Sequence, residues 1–96
     1  MARYVILLNW TEQGVKNHKE TVNRAAAARQ AFEKKGCKVA ECVWTLGPYD
    51  LVLMAEAPDD ETITAISIGL AALGNVKTLT MRAFGEDEMR KVLQKV

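Results

Sequence analysis

Ninety-six residues carrying 13 Lys/Arg, 12 Asp/Glu and a net charge of +1 fit one small globular domain over 1–96. That balance gives no general case for a direct nucleic-acid binder, where a basic stripe is expected. No stretch is long and apolar enough to span a bilayer, and Met1-Ala2-Arg3 leads into a strand-like run rather than a signal peptide, so the expectation is a cytoplasmic protein with no membrane partner.

In chain order, "RYVILLNW" over 3–10 is a short apolar run rich in β-formers and reads as a buried strand. A polar stretch follows to Glu20. Thr21 then caps a helix over about 22–35, with Ala25, Ala28, Ala31 and Phe32 as its apolar face and Gly36 as its left-handed stop. "CKVAECVWTL" over 37–46 reads as a second strand, Gly47-Pro48-Tyr49-Asp50 as a turn, and 51–57 as a third strand. Pro58-Asp59-Asp60-Glu61 opens a second helix, with proline outside and carboxylates at the positive end of the dipole. Ile63, Ile66, Leu70 and Leu73 form its stripe, and Gly74 ends it. Residues 75–84 alternate as a fourth strand, and Glu86-Asp87-Glu88 open a tail helix with Met89, Val92, Leu93 and Val96 on one face.

The order β-α-β-β-α-β is that of a ferredoxin-like α+β sandwich with a short C-terminal helix. Two helices cover one face of a four-stranded sheet, yet strands one and three are apolar almost throughout, so both sheet faces need cover. A second copy, sheet against sheet, supplies it, and a homodimer or higher oligomer is expected. The uneven charge fits either an orienting asymmetry between subunits or two solvated helices. Residues 1–40 hold eight Lys/Arg against three Asp/Glu, and 41–96 hold five against nine.

Several motifs resemble the GYD-domain family: "NWTEQG" after strand one, "WTLGPYD" at the hairpin, "APDDET" before helix two and "GNVKTLTMRAF" at the last strand. The resemblance spans nearly the whole chain and implies a dimeric α+β barrel without an established activity. Gly36-Cys37 departs from a Gly-Gly common there, and Pro48 stands where the family often has a basic residue. The stretch "ECVWTLGPYDLVLMAEA" with "LAALGNVKTLT" is also distantly similar to the effector-binding domain of Lrp/AsnC regulators. That likeness implies a small-molecule site between subunits, in a chain with no room for a helix-turn-helix.

The candidate ligand-binding residues are Trp44, Tyr49, Asp50, Thr78, Thr80 and Arg82. Tyr49 and Asp50 read either as turn chemistry or as part of a subunit-boundary site. Trp44 and Trp10 read as interface anchors or as a ligand platform. If Leu79, Met81 and Ala83 pack under the helices, then Thr78, Thr80 and Arg82 face the intersubunit barrel. Arg82 must there find an acidic partner, Glu41 for instance, or an anion.

No phosphate loop, HExxH or catalytic carboxylate pair is present, so no cofactor and no catalytic residue are assigned. His18 lies in a polar loop, and with Cys37 and Cys42 as the only thiols a metal site within one chain is not expected. The two cysteines lie roughly 16 Å apart if both are on one strand, too far for a disulfide. Three functions compete. The first is a noncatalytic oligomeric module binding a small-molecule effector. The others are a cofactor-independent monooxygenase- or isomerase-like enzyme using Arg82, Glu41 or His18, and a purely structural oligomer.

Overall fold

The structure, a computed structural model, describes residues 1–96. Its elements are β1 (Ala2–Trp10), α1 (Glu12–Lys16), α2 (Thr21–Lys34), β2 (Lys38–Trp44), β3 (Leu51–Ala57), α3 (Asp60–Ala72), β4 (Val76–Ala83) and α4 (Glu86–Leu93). The four strands form one antiparallel sheet in the order β2-β3-β1-β4, the ferredoxin-like arrangement expected from the element order. The stretch before Glu20, read as loop, instead contains α1 and a 3-10 turn at His18–Glu20.

Residues opposite each other across a ladder share a face, so the registers sort the side chains into two sets. Tyr4, Ile6 and Leu8 of β1 align with Ala55, Leu53 and Leu51 of β3, and all six are buried beneath the helices with Phe32, Ile63 and Ile66. The α3 stripe is therefore as expected at Ile63 and Ile66, while Leu70 is half-buried and Leu73 is exposed at the helix end. On α2 only Phe32 is buried; Ala25 and Ala28 are half-covered and Ala31 is exposed. Alanine is an excellent helix former but too short to reach the sheet. Gly36 (φ +75°) and Gly74 (φ +86°) end α2 and α3 in the left-handed region, where a side chain is strained.

The β4 assignment is corrected by register and contact. Thr78, Thr80 and Arg82 oppose Leu8, Ile6 and Tyr4, which places the polar set on the helix side. Thr80 tolerates that side because its hydroxyl pairs with Ser67 Oγ of α3 at 2.8 Å. Leu79 and Met81 lie on the opposite face with Val5, Leu7, Val52 and Met54. No element of the chain covers this second face: Leu79, Met81 and Met54 are 48%, 41% and 43% exposed. The total accessible surface of 6523 Å² exceeds the roughly 5,500 Å² typical of a 10.6 kDa monomer.

Asp59, rather than a proline-led turn alone, fixes the start of α3. Its Oδ1 accepts from the Thr62 amide (2.8 Å) and the Thr62 hydroxyl (2.6 Å), and these bonds hold its carboxyl below the usual range. A carboxylate whose folded pKa is depressed contributes stability above its unfolded pKa, and that contribution is lost as pH falls through the folded value. Asp59→Asn is therefore expected to lower Tm at neutral pH and to flatten the fall in Tm below about pH 4, read by circular dichroism melts from about pH 7 to about pH 2.5.

Candidate functional site

Two features stand out: the bare sheet face, and a cleft on the other side of the sheet. The cleft arises where the alanine-rich face of α2 fails to fill the space above β1 and β3. It measures about 500 Å³ and is lined mainly by apolar side chains, including Leu8, Leu51 and Leu53 below and Ala25 and Ala28 above. Trp10 and Trp44 both contribute to its wall. Trp44 Nε1 donates to Thr21 Oγ1 at 3.0 Å, so Thr21 anchors the indole rather than capping α2, whose N-terminus has no side-chain cap. Trp10 Nε1 is buried and meets no acceptor.

The Gly-Pro-Tyr-Asp turn holds the end of β1. Asp50 Oδ2 accepts the Trp10 backbone N–H at 2.8 Å, and Asp50 N donates to Leu8 O at 2.9 Å. Thr45 closes the hairpin, donating through its amide to Asp50 O (2.8 Å) and through its hydroxyl to Tyr49 O (2.6 Å). Gly47 sits at φ +131°, accessible without strain only to glycine. Asp50 thus positions the backbone of Trp10.

"TEQG" carries more structure than its sequence signal. Thr11 Oγ1 accepts the Gly14 amide (3.1 Å) as the cap of α1 and donates to Gly74 O (2.5 Å). Thr11 N donates to Asn75 O at 3.0 Å, and Gln13 Nε2 reaches Leu73 O (3.1 Å) and Asn75 Oδ1 (2.9 Å). Gly14 is buried against Asn75, whose carbonyl oxygen lies 2.0 Å from where a Cβ would stand. Two sequence motifs 60 residues apart are one lock at the end of the cleft, where Leu73, Asn75 and Val76 form part of the lining.

The six residues named from sequence do not converge in one protomer. Trp44 and Thr78 end the same cross-sheet row, Trp44–Leu51–Leu8–Thr78, three strand spacings or about 14 Å apart. Arg82 does form an ion pair, but with Glu88 of α4 (Nη2–Oε2 3.2 Å), because Glu41 opposes Met54 on the other face of the sheet. The guanidinium also lies 4.6 Å from the Phe84 ring centroid and donates to the carbonyls of Ala83 and Arg3. Glu88 accepts the Gly85 amide (3.1 Å), and that bond, followed by the pairing with Arg82, holds its carboxyl low.

Three further groups at the core, Tyr4, Cys37 and Cys42, are shifted upward. Burial and the Asp60 carboxylate, which accepts the Tyr4 hydroxyl at 2.5 Å, push the Tyr4 phenol up to about 12. Burial likewise raises the thiols of Cys37 and Cys42, and both are free. Neither thiol has the lowered pKa of a nucleophilic cysteine.

A family model described as the GYD domain matches residues 4–93. The chain belongs to the GYD-domain family. A Thermus thermophilus protein named "Glutamine synthetase and cystathionine beta-lyase binding protein" is 32% identical to this GYD domain over 84 residues, covering 86% of this chain and 88% of that protein. The crystal structure of TTHA0845, also from Thermus thermophilus, is similar with a TM-score of 0.57 and 28% identity, over 88% of this chain and 95% of that one. MtbAldR (Rv2779c) superposes with a TM-score of 0.67 at 14% identity, a likeness of fold. This GYD domain spans 54% of the length of the MtbAldR chain.

Proposed function

We propose that this GYD domain is a noncatalytic, homo-oligomeric binding module that joins copies through its bare sheet face and serves a small-molecule effector and protein partners. The observation that carries the reading is the face itself. Val5, Leu7, Val52, Met54, Leu79 and Met81 form an apolar centre, and the row Lys38–Glu56–Arg3 borders it with charges of alternating sign. An apolar centre with a polar rim is the anatomy of a protein interface. The surface in excess of an ordinary monomer, about 1,000 Å², is of the order one partner contributes to a standard interface.

The name of the Thermus relative supports a role in binding proteins, and we extend that role to this chain. We favour binding over catalysis for this cleft. The cleft is walled mainly by apolar side chains, and the raised pKa of the Cys42 thiol in its lining disfavours the thiolate. Native mass spectrometry of the protein at tens of micromolar tests the assembly. Dimers or higher forms are expected, and a monomer across that range contradicts the proposal.

A further inference from the structure

We propose that the cleft under α2 is the ligand site of each subunit, and that it takes a compact apolar molecule bearing one hydrogen-bond acceptor oxygen, which pairs with Trp10 Nε1. The inference rests on the binding-module reading and gives that module a site within one subunit, away from the sheet–sheet face. Three observations converge on it. The volume, about 500 Å³, lies within the range of small-molecule pockets. The wall is mainly apolar, built largely of leucine, alanine, valine and tryptophan, and contains no Asp or Glu.

The third observation is the orphaned donor. A buried indole N–H without an acceptor is destabilising, and Trp10 is the residue with the one buried side-chain polar atom left unpaired. Its counterpart Trp44 satisfies its own N–H on Thr21, which isolates the difference between the two indoles. Asp50 holds the Trp10 backbone, so the indole is presented from a fixed main chain. Ala25 and Ala28 are among the short side chains that line the same cleft. The two lining cations are partly engaged: Arg24 donates to Asn17 O (2.7 Å) and Gly14 O (3.3 Å), and Arg29 donates to Val39 O (2.8 Å). Those backbone carbonyls hold both guanidinium groups in place, and we assign the selecting contact to the neutral N–H, with a neutral ketone, ester or ether bearing an aromatic or branched body as the ligand class.

The test uses 2-acetonaphthone and its carbon analogue 2-ethylnaphthalene, titrated into the ¹⁵N-labelled full chain, with the two indole N–H signals assigned through Trp10→Phe. The ketone is expected to bind saturably, to shift the Trp10 indole proton downfield, and to bind about 3–10-fold more tightly than the hydrocarbon. Trp10→Phe should erase that preference while leaving hydrocarbon binding in place. Ala28→Leu, which fills the cleft with a helix-compatible side chain, should abolish binding of both. Absence of saturable binding, equal affinity for the two probes, or binding indifferent to Ala28→Leu in a folded variant overturns the proposal. Diffusion measured on the same samples reports the assembly state. A failed titration on an intact oligomer therefore removes the cleft site alone, whereas a monomer removes the module reading.

Discussion

Gly14→Ala is expected to cost about 2–4 kcal/mol and to lower Tm by roughly 10–25 °C, since its added Cβ would make the tightest contact of any glycine in the chain. The added carbon would stand 2.0 Å from a backbone oxygen of Asn75, which is not a flexible side-chain end that can swing away. Relief requires α1 to separate from the α3–β4 loop. That separation strains the bonds Thr11 and Gln13 make to Leu73, Gly74 and Asn75. Gly69→Ala is the matched control. It lies within α3 with nothing inside 4 Å of its added Cβ, so the same chemical change should raise stability by about 0.5–1 kcal/mol. Thermal melts of the two variants side by side check both signs. Equal destabilisation would show that the close approach at Gly14 carries no special weight.

Leu79→Asp should convert the proposed assembly to folded monomers. In the protomer Leu79 is 48% exposed, so an aspartate there remains hydrated and the fold is retained. In a sheet-against-sheet pair the same carboxylate is removed from water without a partner, and self-association should weaken at least about 100-fold, roughly 3 kcal/mol. Ile68→Asp, on the exposed outer surface of α3 at 65% exposure, should leave the oligomer unchanged. Sedimentation velocity of the two variants separates a face-specific effect from a general effect of added charge.

Much of this architecture is legible in the residues. The alternation of Tyr4, Ile6 and Leu8 against Val5 and Leu7 declares a strand apolar on both sides, and the boundaries of β3 follow from the turn before it and Pro58 after it. What alternation cannot assign is which face of β4 meets the helices. Thr78, Thr80 and Arg82 look like an outward set until Ser67 is known to meet Thr80 and Glu88 to meet Arg82. Thr80 and Arg82 lie on the helix side because partners on α3 and α4 satisfy them. The role of "TEQG" is hidden for another reason. A five-residue helix has no periodicity to read, and its function is a contact with residues about 60 positions away. The cleft is unreadable in the sequence because alanines mark a helix face equally well whether or not they reach the sheet.

At the hairpin one residue ties two elements together. Asp50 serves the turn and the end of β1, and by fixing Trp10 it also shapes the cleft. Tyr49 takes part through its backbone carbonyl, which accepts the Thr45 hydroxyl.

The central claim, that the bare sheet face is buried against a second copy, is tested most directly by methionine-methyl NMR with a soluble paramagnetic relaxation agent. Met54 and Met81 lie on that face, and Met1, 67% exposed at the chain start, serves as the reference. The account predicts that the Met54 and Met81 methyl signals resist the agent while Met1 broadens. Broadening of all three to the same extent would show an open face and contradict it.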